Sequence, residues 1–187
     1  MSFDSVIWEW SDRRGLEHLQ FVISPEGIKA EALVVLDAES GVVRFRYSLF
    51  AKANGLPQRC AIFVRAGPNN DFEELSFREN AGWTLNGDRL PGLENCLTFD
   101  IRDTSFPKSL IARYLSLDVG QSKDIRVAHI DNRSLLVTAQ QQNWERLPNA
   151  KEGNWHYRCT ASGTSSDYFL GQDFLMQNSP RRWRRKL

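Results

Sequence analysis

Alternation between apolar and polar side chains is the feature that most constrains what this chain can fold into. Apolar residues alternate with polar ones at Val43, Phe45, Tyr47 and Leu49, and every even-numbered position from 28 to 36 is apolar. This period of two is typical of β-strands with one buried face. Similar patterns recur along the chain with turn residues between them. The sequence therefore predicts a mainly β fold: an antiparallel β-barrel or a strongly curved half-barrel with little helix.

The composition is that of an ordinary globular domain. The chain has 187 residues, of which 41% are hydrophobic and 25% are charged. A chain of this size can bury a substantial core, so we expect a single domain over residues 1–187. No apolar run reaches the roughly 20 residues that span a bilayer. The first ten residues contain an early acid, Asp4, and two tryptophans instead of a signal peptide's basic start, so we expect a cytoplasmic protein.

The charge is distributed unevenly between the body and the C-terminal end. The formal net charge is +1, and five basic residues lie between positions 181 and 186, so residues 1–180 carry −4. The basic tail 181–187 could contact an anionic surface, or be a solvated end, or be held against the body by Trp183. The acidic body argues against a dedicated nucleic-acid-binding protein. The residues expected to make a surface contact are Arg181, Arg182, Arg184 and Arg185.

Two charged residues lie in phase with apolar residues of predicted strands. Glu17 shares a face with Leu19, and Arg113 shares one with Ile111 and Leu115. A charge that faces a core is unfavourable unless it is paired. The two residues could form a buried ion pair, or they could line a cavity and hold a polar head group. Mostly apolar walls with a few convergent polar groups are typical of ligand pockets.

Motifs of enzymes and metal sites are absent from the sequence. The chain has no Walker loop, HExxH, GxSxG or GxGxxG, and its three histidines and three cysteines are scattered. We therefore predict no metal site, no cofactor and no catalysis. Asp100 is a candidate ligand-binding carboxylate, or it bonds a turn amide. His129 is interpreted as a core histidine.

The stretch from Gly82 to Leu117 carries a family resemblance. The residues that carry it are Gly82-Trp83, Asn86-Gly87, Leu90-Pro91, Leu93, Cys96, Asp100-Ile101, Thr104, Leu110, Arg113 and Leu115. Weaker matches are Trp8, the segment 15–18, the segment 142–147 and the arginine-rich end. In these residues the chain resembles the bacterial putative glycolipid-binding domain family. The resemblance implies a curved, largely antiparallel β-structure likened to lipid and lipoprotein carriers.

Three tryptophans occur at motif positions of that family. Trp8, Trp83 and Trp144 could line a pocket, since an indole offers an apolar body and an N–H donor, or they could simply pack in the core. The resulting hypothesis is non-catalytic binding of a hydrophobic or amphipathic small molecule, such as a glycolipid, inside a barrel-like sheet. The alternatives are an enzyme that uses Glu17, Asp100 and Arg113, or an interaction module that acts through the basic tail.

Overall fold

The structure is a computed structural model that describes residues 4–12, 14–38, 41–66, 71–134, 136–149, 154–180 and 182–186, without the side chains of 38, 65–66 and 71–73. It contains fifteen strands and one helix in this part of the chain. The strands are β1 (Asp4–Trp10), β2 (Gly15–Ser24), β3 (Gly27–Ala38), β4 (Gly41–Ala51), β5 (Pro57–Ala66), β6 (Asp71–Arg78), β7 (Gly82–Leu85), β8 (Asp88–Arg89), β9 (Thr98–Ile101), β10 (Ser122–Ile130), β11 (Val137–Leu147), β12 (Trp155–Ala161), β13 (Thr164–Leu170), β14 (Met176–Ser179) and β15 (Trp183–Arg185). The helix, α1, spans Phe106–Leu115.

Hydrogen bonds join all fifteen strands into one sheet. Their order is β8-β7-β6-β5-β4-β3-β2-β1-β15-β14-β13-β12-β11-β10-β9. The pairs are antiparallel except for β9 and β10, which run parallel. The prediction of a mainly β, largely antiparallel fold with little helix is confirmed. Closure into a barrel is not confirmed, because no ladder joins the two edge strands β8 and β9 within the described residues.

The period-2 segments form strands where the sequence predicts them. In β3 and β4 the even-numbered residues of one strand pair with odd-numbered residues of the other, for example Ala32 with Tyr47 and Val34 with Phe45. All four of these side chains are buried. The intervening residues of both strands lie on the opposite face. Burial of one face fixes the register, since a slip of one residue would exchange the two faces.

The segment around Arg113 is a helix, and the strand that the sequence predicts there is wrong. Pro107 lies in the first turn of α1, where its missing N–H removes no helical hydrogen bond. Eight of the ten helical residues are buried, all except Arg113 and Tyr114. A helix buried on nearly all sides has no polar stripe, so its 3.6-residue period is hidden. The apolar positions 111, 115 and 117 then resemble a strand by coincidence.

The basic tail is part of the centre of the sheet. Trp183 pairs with Trp10 of β1 and with Ser179 of β14, and its side chain is fully buried. Arg185 forms an ion pair with Asp173 at 2.7 Å, and Lys186 forms one with Glu9 at 2.8 Å. Of the predicted alternatives, the one in which Trp183 holds the tail against the body is confirmed. Arg181 lies outside the described residues.

Replacing Trp183 by alanine tests the structural role of β15. We expect the free energy of unfolding to fall by about 3–5 kcal/mol, the usual loss when a buried aromatic side chain is truncated. Arg184→Ala is the matched control, because Arg184 belongs to the same strand and is exposed. It should change stability by about 0.5 kcal/mol or less. Urea denaturation of both variants measures the two values, and equal small effects would contradict the central position of β15.

Candidate functional site

Glu17 lies at the beginning of α1 and not in a cavity. Its side chain is 1% exposed. The Tyr47 hydroxyl donates to its Oε1 at 2.5 Å, and the backbone N–H groups of Ser105 and Phe106 donate to the carboxylate at 2.5 and 3.4 Å. The first N–H groups of a helix have no partner within the helix, and they carry its positive dipole end. The β2 carboxylate therefore caps a helix that is distant in sequence.

Burial dominates the electrostatics of this contact. It raises the pKa of Glu17 above its ordinary value, while the hydrogen bonds from Tyr47 and Ser105 act in the opposite direction. Burial, together with the neighbouring carboxylate, raises the pKa of Tyr47 well above its ordinary value. The groups around Glu17 in this contact are donors, which is the environment that a carboxylate requires. Glu17 therefore anchors the helix from a buried position.

Arg113 is not the partner of Glu17. It lies in the last turn of α1, and its Nε donates to the carbonyl oxygen of Ala53 at 2.7 Å. Its guanidinium lies 5.1 Å from the centre of the Phe174 ring. Arg113 lies eight positions after Ser105, which corresponds to about 12 Å along the helix axis. The predicted ion pair is therefore wrong, because the strand phase that paired the two residues does not exist.

The three candidate tryptophans are core residues. Trp8 and Trp144 are fully buried, and their indole N–H groups donate to Met176 O at 2.7 Å and to Gln142 Oε1 at 2.9 Å. Trp83 is 2% exposed and packs against Phe99, with ring centres 5.7 Å apart. It also lines a small hollow of about 140 Å³. All three side chains are therefore packed in the core.

Asp100 belongs to a buried cluster of polar side chains. It is 6% exposed and accepts a hydrogen bond from Lys108 Nζ. Lys108 also donates to Thr104 O at 3.2 Å. The carboxylate lies 3.7 Å from His129 Nδ1 and accepts from Gln142 Nε2 at 3.5 Å. Burial alone would raise the pKa of Asp100, but Lys108 and His129 outweigh it, so the pKa lies below its ordinary value.

This cluster forms the floor of a polar cleft of about 670 Å³. Its walls are formed by residues of β9 to β13, by the end of β1 and by the turn that precedes β15. Its lining residues are Trp10, Asp12, Asp100, Arg102, Asp103, Lys108, His129, Gln140, Gln142, Cys159, Ala161, Thr164, Ser165, Ser166, Asp167, Tyr168, Pro180 and Arg182. Of the six predicted site residues, Asp100 alone is part of this polar cleft.

Several residues of the polar cleft were not candidates in the sequence analysis. Lys108 is hidden because it belongs to the helix that the sequence does not predict. Gln142 precedes Trp144 by two residues in β11, and this spacing places both side chains on one face of the strand. That signal was available for Gln142. Arg182 was predicted to contact an anionic surface because of its charge. Its position in the polar cleft could not be predicted, because the turn before β15 is not recognisable in an arginine-rich segment.

The described residues contain no group of three or more histidine, cysteine, aspartate or glutamate side chains arranged to hold a metal ion. In the same part of the chain, no helix combines the length and the apolar character needed to cross a membrane.

A double-mutant cycle tests the separation of Glu17 from Arg113. We expect Glu17→Gln and Arg113→Leu to be additive within about 0.5 kcal/mol, as sites more than about 10 Å apart usually are. The matched cycle of Glu17→Gln with Tyr47→Phe should show a coupling of roughly 1–3 kcal/mol, because these side chains share a buried hydrogen bond. Urea denaturation gives all the values. Strong coupling between Glu17 and Arg113 would contradict the position of Arg113 at the far end of α1 from Glu17.

Breaking the Asp100–Lys108 pair should be strongly destabilising. Lys108→Met leaves the buried carboxylate without its main partner, and we expect a loss of about 3–5 kcal/mol, most of which Asp100→Asn should restore in the double variant. The control is Lys52→Met, because the Lys52–Glu79 pair joins side chains that are 42% and 40% exposed. Its removal should change stability by about 1 kcal/mol or less. A small effect of Lys108→Met would contradict the buried pair.

The same pair sets a pH dependence that these variants can measure. The folded-state pKa of Asp100 lies below its ordinary value of 3.8. The unfolded chain therefore takes up a proton at a higher pH than the folded chain does. The stabilisation by Asp100 is present above pH 3.8 and is lost as the pH falls through the folded-state pKa. On acidification, the wild type should lose stability faster than the Asp100→Asn/Lys108→Met double variant.

Comparisons with known proteins give one similar fold and one matching family model. A crystal structure of a DUF1089 family protein from Pseudomonas aeruginosa superposes with a TM-score of 0.74, covers 91% of this chain and 92% of its own, and is 21% identical in sequence. This likeness supports the fold. No curated protein matches the chain significantly in sequence. The family model described as "Putative glycolipid-binding" matches residues 5–185, and the chain therefore belongs to that family.

Proposed function

We propose that the protein binds the polar head group of an amphipathic small molecule, of the glycolipid class, in the polar cleft and does not change it chemically. One observation carries the proposal: a cleft of about 670 Å³ has the buried cluster of Asp100, Lys108 and Gln142 as its floor. This volume lies within the range of about 300–1,000 Å³ that is typical of small-molecule sites. The family description supports the same ligand class.

The polar cleft offers hydrogen-bond donors and acceptors side by side. Asp100 accepts, Lys108 and Arg182 donate, and Gln142 and Ser166 can do both. A sugar hydroxyl group also donates and accepts, so a polyhydroxylated head group complements such a lining. A purely anionic head group would meet the carboxylates of Asp100 and of other acidic residues in the walls. The mixed lining therefore favours a sugar over a phosphate or a sulfate.

An aromatic layer stiffens one wall of the polar cleft. The Tyr168 ring stacks on Trp144, with ring centres 5.5 Å apart, and on Trp183 at 6.4 Å. Lys108 Nζ lies 5.2 Å from the centre of the Trp183 ring. Burial raises the pKa of Tyr168, so its hydroxyl remains protonated at neutral pH and can donate. A rigid wall limits the entropy lost when a ligand binds.

The proposed ligand lies in the polar cleft and not in the interior of the sheet. The sequence predicts a ligand in the interior, but α1 and large side chains such as Trp8 and Tyr47 occupy that space. Lys108 contacts both Asp100 of β9 and Trp183 of β15, six positions apart in the strand order. In a flat sheet these strands would lie about 29 Å apart. We therefore also propose that the sheet forms a half-barrel that bends around α1. The head group would bind at the open end of this half-barrel.

Dodecyl maltoside below its critical micelle concentration is the probe that tests the proposal. Arg182 lines the polar cleft, and in the described part of the chain its guanidinium has no hydrogen-bond or ion-pair partner. Its loss should leave the fold intact. We expect Arg182→Gln to weaken maltoside binding by about tenfold or more, the effect of losing one charge-assisted hydrogen bond. Isothermal titration calorimetry measures the affinity.

Arg184→Gln is the matched control, since Arg184 lies two residues further on and is exposed on β15. Its affinity for the maltoside should stay within about twofold of the wild type. Dodecyl phosphocholine, which has the same chain and another head group, should bind more weakly to the wild type. Equal binding of both detergents, or an equal response of the two arginine variants, would overturn the assignment to the polar cleft.

Hydrolysis of the bound head group is the second candidate function, and the position of His129 favours it. Its Nδ1 is buried and faces the Asp100 carboxylate at 3.7 Å. A histidine oriented by a carboxylate can act as a general base through its other nitrogen. The enzyme predicted from the sequence would use Glu17, Asp100 and Arg113, which the structure separates. Release of maltose from the maltoside over time, abolished by His129→Gln, would favour catalysis over simple binding.

A further inference from the structure

A groove crosses the outer face of the sheet, on the side opposite α1 and away from the polar cleft. Its floor is one row of cross-strand neighbours on β2 to β6: Gln20, Glu31, Ser48, Ala61 and Ser76. Larger side chains flank this row on both sides. Two hollows of about 380 and 310 Å³ lie along it and share Glu31 and Ser48. The five strands give the groove a length of about 19 Å.

One flank of the groove carries three basic side chains. It consists of Lys29, Phe50, Arg59 and Arg78, which are direct cross-strand neighbours in this order. Arg59 and Arg78 lie opposite each other, an arrangement of like charges that destabilises a sheet. Neither guanidinium pairs with a carboxylate within the described residues, and Arg59 instead lies 5.8 Å from the centre of the Phe50 ring. An anionic ligand would relieve this repulsion.

The other flank is mixed, with Leu33 and Phe63 as its apolar part and His18 and Glu74 at its two ends. Arg46 covers the ring of Phe63 at 4.8 Å, and Leu33 precedes this pair in the same row. The floor between the flanks offers one small or polar side chain on each strand. With strands about 4.8 Å apart, this repeat is close to the length of one pyranose ring in a linear glycan. The hydroxyl, amide and carboxylate groups of the floor suit sugar hydroxyls.

We propose that this outer groove binds a linear acidic glycan, with its carboxylates on the Arg59–Arg78 flank and its sugar rings along the floor. The repeat of the floor is longer than one residue of an extended peptide, which disfavours a peptide in the groove. The site shares no residue with the polar cleft, so this binding is independent of the function proposed there.

Titration with hexagalacturonate tests the proposal. We expect Arg59→Gln and Arg78→Gln each to weaken its binding by about tenfold, as expected when one charge-assisted hydrogen bond is lost. Arg44→Gln is the matched control: it removes the same charge from the outer face of β4, one row outside the groove, and should change the affinity by about twofold or less. Since removing either arginine ends the cross-strand repulsion, Arg78→Gln should also raise the unfolding midpoint by about 1–3 °C.

Further ligands test which chemical class of molecule the outer groove binds. Cellohexaose, a neutral linear glycan, should bind more weakly than hexagalacturonate, and monomeric galacturonate should bind much more weakly than either.

Ala61→Trp places a bulky side chain on the floor and should abolish glycan binding in a protein that still unfolds cooperatively. Equal or tighter binding of oligothymidylate or polyglutamate would overturn the glycan assignment. Failure to bind hexagalacturonate, or an unchanged affinity in Arg59→Gln, would overturn the site. Arg182→Gln should leave this binding unchanged.

Discussion

The first turn of α1 is held by two buried charges, and the rest of the structure depends on this docking. The carboxylate of Glu17 reaches the helix from β2, near the middle of the strand order, and Lys108 reaches out from the helix to Asp100 of the edge strand β9. A buried charge without a partner would cost several kcal/mol. Each of these contacts therefore fixes the helix relative to a different part of the sheet. The polar cleft exists because Lys108 and Asp100 are brought together in this way.

Strands were predictable where burial is strictly one-sided. In β3 and β4 the period of two survives over the full length of each strand, because the outer residues remain in contact with water. The same reasoning correctly selected Glu17 as a polar residue on a buried face. It could not identify the partner, since that partner is the backbone of a helix nearly ninety residues away. Single-sequence patterns report which face is buried, but not what covers it.

The candidate site was less predictable than the fold, for a related reason. A helix covered on nearly all sides shows neither a polar stripe nor a strand alternation, so Lys108 could not be oriented and Arg113 was assigned to the wrong face. Asp100 was identified because of its place in the family motif. Its neighbours His129 and Gln142 come from β10 and β11, and only the parallel pairing of β9 with β10 brings them to it. Nothing in the local sequence encodes that pairing.

The position of β15 has a consequence for the order in which the molecule can be assembled. β1 to β8 form consecutive neighbours, as do β9 to β14, and among the described residues the hydrogen-bond ladder connects these two halves only through β15. During synthesis each half can form its own ladder, but β1 and β14 remain unpaired edges until Trp183–Arg185 have left the ribosome. Unpaired edges invite association between chains. The nascent protein therefore passes through a stage in which β1 and β14 are open edges in addition to β8 and β9. Closing these two extra edges requires β1 and β15 to meet although they are distant in sequence, which slows folding.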